Sequence, residues 1–132
     1  MNKNVYGYLI GSEIRVDIEQ RTVSRIYALQ KQNYYMSEAV FLSETSMALF
    51  IYLLDHAKQT VIPYEDILSE VWDKRGLVSS YKRLNQVTKD LRDKLSQIGL
   101  AEDFILTIRS RGYRLKEESI TQLYSETIVA DS

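Results

Sequence analysis

The hydrophobic period changes twice along this chain of 132 residues. Ile14, Val16 and Ile18 alternate with Arg15, Asp17 and Glu19, the period of two that a strand with one buried face requires. From Ser43 the apolar residues recur instead at intervals of three and four, the period of a helix. After Gly99 the short β-branched and aromatic runs return. A chain that reads strands, then helices, then strands is an α+β chain.

Four strands are expected before Ser43: Val5 to Ile10, closed by the turn Gly11-Ser12, then Ile14 to Ile18, Thr22 to Ile26, and Ala39 to Leu42. They form an antiparallel meander. Ser43 caps a first helix, with Glu44 at the positive end of its dipole. Met47 to Leu54 is apolar nearly all round, so that helix is central. Pro63 opens a second helix whose apolar stripe is Ile67, Leu68, Val71 and Trp72. Asp73 to Ser79 is a loop. Ser79 or Ser80 caps a third helix running to about Ile98, with Gly99 as its stop. Phe104 to Ile108 and Tyr113 to Leu115 form a hairpin around Ser110-Arg111-Gly112. Residues 1–116 thus read as one domain: a sheet to residue 43, three helices over 44–98 and a hairpin over 104–116. Residues 117–132 read as a polar, acidic tail or linker.

Composition removes several function classes. Cysteine is absent and His56 is the lone histidine. Disulfide scaffolds, cysteine-ligated metals, thiol catalysis and His-rich metal centres are therefore out of reach. No acid pairs recognisably with a base and no Gly-rich phosphate loop occurs, so neither an enzyme, a cofactor nor a small-molecule substrate is expected. His56, near the end of the first helix, reads as a dipole-favoured surface residue, and Tyr34-Tyr35 as a packing or dimer contact. The longest apolar run, Met47 to Leu54, is too short for a bilayer, and the N-terminus has no secretory pattern.

The net charge of −1 conceals a split. Between Lys74 and Lys116 stand eleven basic residues and four acidic ones, a balance of +7; the rest of the chain carries −8. One face is suited to an anion and the other is not.

The third helix lies inside the basic stretch. Leu84, Val87, Leu91, Leu95 and Ile98 share one face. At 100° per residue the opposite face carries Lys82, Gln86, Lys89 and Asp93, with Asn85 beside them and Arg92 to one side. Amides can bond adenine in a bidentate manner, and lysine reaches guanine or phosphate. The same stripe on a solvated helix could be held by the i,i+4 pairs Lys89–Asp93 and Asp90–Lys94. The hairpin then adds Arg109, Arg111 and Arg114 around a tight turn, material for a phosphate or minor-groove probe. Helix–loop–helix followed by a basic hairpin is the winged helix-turn-helix arrangement.

Five segments carry a family likeness: Phe41-Leu42-Ser43, Met47-Ala48-Leu49-Phe50, Ile67-Leu68-Ser69-Glu70-Val71-Trp72, Leu91-Arg92-Asp93-Lys94-Leu95 and Thr107-Ile108-Arg109-Ser110-Arg111-Gly112-Tyr113-Arg114-Leu115. Over residues 8–116 the chain resembles the OmpR/PhoB-type winged-helix DNA-binding domains. The last segment is the most specific. The resemblance implies a four-stranded N-terminal sheet, three helices, a C-terminal wing, double-stranded DNA as ligand and transcription control as function. It implies DNA contacts at Lys82, Lys89, Arg92, Thr107 and Arg109; the helical stripe and hairpin add Asn85, Gln86 and Arg111. It also implies an RNA polymerase contact for the 73–79 loop, and tandem pairing or a homodimer on DNA.

Three positions depart from the family pattern. Asp90 stands where many relatives carry a base. Thr88 stands where they bury an aliphatic residue, which predicts a slight helix rotation or a register shift of one. Ser46 replaces an acid. Only strands precede the helices here, so neither a receiver domain nor control by aspartyl phosphorylation is expected within these residues. That order is similar to the ToxR/CadC-like branch and suggests a cytoplasmic regulator, free-standing or the soluble part of a membrane-tethered one. The rival expectation is a winged helix that binds another regulator or polymerase instead of DNA.

Overall fold

The computed structural model describes residues 2–29, 34–116 and 119–127. The N-terminal strands are β1 (Asn2–Ile10), β2 (Ile14–Asp17), β3 (Thr22–Leu29) and β4 (Tyr34–Phe41). They pair antiparallel in sequence order, with Tyr8 opposite Val16 and Val23 opposite both Val16 and Val40. Those four residues and Ile10 and Ile14 are buried, so the alternation places one face of the sheet on the core. The side chains of the Tyr34-Tyr35 pair lie outside the described residues.

A fifth strand corrects the expected C-terminal tail. Strand β8 (Ile120–Thr127) pairs antiparallel with β1 along its whole length, giving the order β4-β3-β2-β1-β8. The pairing shifts register between Val5 and Gly7. An edge strand is paired on one side only and half exposed, so its sequence can be polar. Ile120-Thr121-Gln122-Leu123 therefore carries little of the alternation that marks β2.

Helix α1 (Glu44–Asp55) begins where Ser43 accepts from the Ser46 N–H at 3.1 Å, as a Ser N-cap should. It buries Met47, Leu49, Phe50, Leu53 and Leu54, and its Asp55 accepts a hydrogen bond from the Tyr8 hydroxyl across to the sheet. Ser46 is itself buried, a small residue where an acid would have needed a partner. A two-residue strand, β5 (Ile62–Pro63), precedes α2 (Tyr64–Ile67). Pro63 caps α2 and sits on the edge of a second sheet, where its missing N–H costs no ladder bond. The helical path widens into a π turn at Leu68–Trp72 and tightens at Asp73–Arg75 before Gly76 turns left-handed at φ 74°. Ile67, Leu68, Val71 and Trp72 all face the core, as their spacing predicts.

Helix α3 (Tyr81–Gln97) is capped by Ser80, whose hydroxyl accepts from the Arg83 N–H at 3.0 Å. Gly99 stops it at φ 81°. Strands β6 (Ile105–Ile108) and β7 (Gly112–Leu115) form the hairpin, and β5 completes a sheet of order β5-β7-β6. The left-handed residue of its turn is Ser110 at φ 64°, not Gly112. Gly112 serves a different purpose. A Cβ there would lie 2.0 Å from the Ile62 carbonyl oxygen, so only glycine lets β5 approach β7.

Candidate nucleic-acid interface

Helix α3 divides along its length as its sequence predicts. Leu84, Val87, Leu91 and Leu95 are buried, and Thr88 is buried with them at 1% exposure. Val87 and Thr88 lie side by side in the buried stripe, so threonine takes a place in the core. Its hydroxyl is buried without a hydrogen-bond partner among the described residues, and its nearness opposes the upward pull that burial exerts on the Tyr113 phenol.

Lys82, Asn85, Gln86 and Lys89 are exposed, and among the described residues none has a hydrogen bond or ion pair to another side chain. Neither expected i,i+4 pair closes: Lys94 instead donates to the Phe41 carbonyl at 3.1 Å, tying α3 to the end of β4. The outward stripe thus keeps its lysines and amides uncommitted in the first half of the helix. Asp90 and Asp93, both exposed, make the second half unattractive to phosphate. Tyr81 and Arg83, also exposed at the start of α3, lie outside the expected set. No hydrophobic period marks a tyrosine that precedes the first buried residue.

At the hairpin, Arg109 and Arg111 flank Ser110 and are exposed, as is Arg114 on β7; none is paired among the described residues. Thr107 and Arg92, expected separately, are brought together. The Arg92 Nε–H and Nη2–H donate to the Ile105 carbonyl at 3.0 and 2.6 Å, and Nη2 also donates to Thr107 Oγ1 at 2.9 Å. The Arg92 guanidinium lies 5.6 Å from the Tyr113 ring centre. Tyr113 meets Tyr64 edge-on at 5.2 Å, and Tyr64 meets Tyr81 edge-on at 5.9 Å. An aromatic chain therefore links the wing, the start of α2 and the start of α3.

This pairing of a polar-faced third helix with a basic hairpin on its flank agrees with a family model. Residues 37–115, more than half the chain, match the model described as transcriptional regulatory protein, C terminal. The chain belongs to this OmpR/PhoB-type winged-helix family. Two solved structures share the fold. One is the DNA-binding domain of E. coli CadC, with a TM-score of 0.70 and 16% identity, covering 91% of this chain and 99% of that one. The other is the DNA-binding domain of the response regulator AdeR in complex with an intercistronic region, with a TM-score of 0.59 and 17% identity, covering 80% and 96%. No curated protein sequence matches. The winged-helix core carries the exposed Lys82, Asn85, Gln86 and Lys89 on α3 and Arg109 and Arg111 on the wing.

Beyond the interface, at the end of α1, the lone histidine has a structural role. His56 Nδ1–H donates to the Tyr52 carbonyl at 2.7 Å, and its ring stacks on Tyr52 at 4.2 Å. Among the described residues no cluster of His, Cys, Asp and Glu could hold a metal ion, and no helix is long and apolar enough to cross a membrane.

Proposed function

We propose that the domain is a sequence-specific reader of double-stranded DNA that controls transcription. The observation that carries this reading is the uncommitted stripe of Lys82, Asn85, Gln86 and Lys89 on a helix whose opposite face is buried. A helix fits the major groove, and the amides of Asn85 and Gln86 read base edges there, with Lys89 beside them. Lys82 at the first turn holds a phosphate. The Thr107 hydroxyl accepts from Arg92, so its own proton remains available to a phosphate oxygen. Arg109 and Arg111 lie along the backbone or enter the adjacent minor groove. The reading places the chain in the cytoplasm. The family and the CadC and AdeR matches support it.

One module buries limited surface, so monomer affinity is weak and copies pair on tandem half-sites. The 73–79 segment contacts RNA polymerase in this reading. Its Val78 is 90% exposed and Leu77 is exposed too, apolar surface that DNA has no use for. The same two residues are the observation that favours the rival, a purely protein-binding winged helix.

The experiment is a gel-shift selection on random duplex DNA, repeated across a salt series, with Lys89→Ala and Arg109→Ala as controls. A DNA reader that neutralises about five phosphates loses affinity with a log–log salt slope near −4 to −5. An enriched motif that the variants lose is the expected result. No enrichment and feeble binding, with little dependence on salt, would transfer the function to a protein partner.

A further inference from the structure

Arginine at position 92 has the sequence signature of a phosphate ligand but the geometry of a brace. Strand β6 is an edge strand of the β5-β7-β6 sheet. The Phe104 carbonyl accepts from the Lys116 N–H on the β7 side at 2.8 Å. Backbone direction alternates along a strand, so the next carbonyl, that of Ile105, points to the open edge. Ile105 is buried there, and an unmet carbonyl in that place is costly. Arg92 meets it with two N–H groups, adds a third bond to Thr107 on the same edge, and rests on the Tyr113 ring from β7. Three of its five N–H donors thus bind the wing. Arg92 follows Lys89 by three residues, which puts it about 60° round the helix and one turn on.

We infer that Arg92 is a positioning residue: a strut that sets the angle between the recognition helix and the wing, so that groove and backbone contacts engage together. The inference rests on the DNA-binding reading proposed above. It requires a guanidinium specifically. Lysine keeps the charge but cannot place two parallel N–H groups on one carbonyl while reaching Thr107. A phosphate ligand at the same position would tolerate lysine.

Two measurements decide it on the intact chain. The first is amide hydrogen exchange of the free protein, with Arg92→Lys, Arg92→Gln and Thr107→Val. A strut predicts faster exchange across 105–115 in both Arg92 variants, to a smaller extent in Thr107→Val, with α1 and β1–β3 unchanged. The second is the affinity for the selected duplex over a salt series. A strut predicts roughly tenfold weaker binding by Arg92→Lys. It predicts an unchanged salt slope for Arg92→Gln, and a smaller penalty for Arg109→Ala when Arg92 is already replaced. The inference is overturned if Arg92→Lys binds like the parent, or if Arg92→Gln loses about 0.9 of the salt slope with normal wing protection. Should the parent chain select no duplex, the DNA reading itself fails. Unchanged wing exchange in the Arg92 variants would then still overturn the strut, and faster exchange would still support it.

Discussion

Replacing Gly112 with alanine tests the wing's construction at a single atom. The added Cβ would stand 2.0 Å from the Ile62 oxygen, 2.8 Å from its carbonyl carbon and 3.0 Å from the Pro63 Cα. Ordinary contact begins at 3.4 Å, so β5 and β7 must separate by more than 1 Å. All three neighbours are backbone, and no rotamer change relieves the clash. Separation breaks the pairing of Ile62 with Tyr113 and of Pro63 with Gly112, and it stretches the Tyr64 N–H bond to the Arg111 carbonyl, now 3.1 Å. At about 1 kcal/mol net for each lost hydrogen bond, with some residual overpacking strain, the cost is about 2–4 kcal/mol. Urea unfolding followed by circular dichroism measures it, and the midpoint should fall by about 1–2 M. Gly76→Ala is the control. Gly76, unlike Gly112, has a positive φ, of 74°, but nothing lies within 4 Å of the added atom, so only about 1 kcal/mol is at stake. If Gly112→Ala lost no more than Gly76→Ala, the close approach of β5 would not be what demands glycine.

The other predictions concern the sheet, the core and the interface. The Tyr8 phenol is pushed up to about 12, first by burial and then by its bond to the Asp55 carboxylate. A raised folded pKa contributes stability that is complete below pH 10 and is lost as pH climbs towards 12. Urea midpoints should therefore fall over that window and fall less in Tyr8→Phe, which costs roughly 1 kcal/mol at neutral pH; parallel curves would refute the coupling. Leu91→Ala, at a fully buried position on α3, should cost about 2–5 kcal/mol, whereas Lys89→Ala, on the exposed stripe, should leave the melting curve within about 0.5 kcal/mol. Gln86→Ala should relax preference at one base pair by about 1–3 kcal/mol, while Arg109→Ala should weaken all duplexes alike and reduce the salt slope by about one. A Gln86→Ala variant with unchanged base preference would mean that another stripe faces the groove.

Wherever a pattern is local and repeated, the residues determine the outcome unaided. Ile14, Val16 and Ile18 announce a strand because a buried face must recur every second residue. Leu84, Leu91 and Leu95 announce a helix face because it must recur every third or fourth. Ser43, Ser80 and Gly99 mark helix ends because only their own neighbours' N–H and carbonyl groups need them. The exposed candidates Lys82, Asn85, Gln86 and Lys89 follow from the same periodicity. Tertiary structure decided the rest. Strand β5 has two residues, too few to show any period, and exists because β7 offers it an edge. Strand β8 is templated by β1, more than a hundred residues earlier. Gly112, legible only as turn material, answers to the Ile62 oxygen fifty residues away. Arg92 meets acceptors 13 and 15 residues further on, and Lys94 one 53 residues back. A sequence shows which side chains can donate. Which carbonyl stands about 3 Å from them is set by how the strands and helices pack, because a backbone acceptor leaves no mark in residue identity.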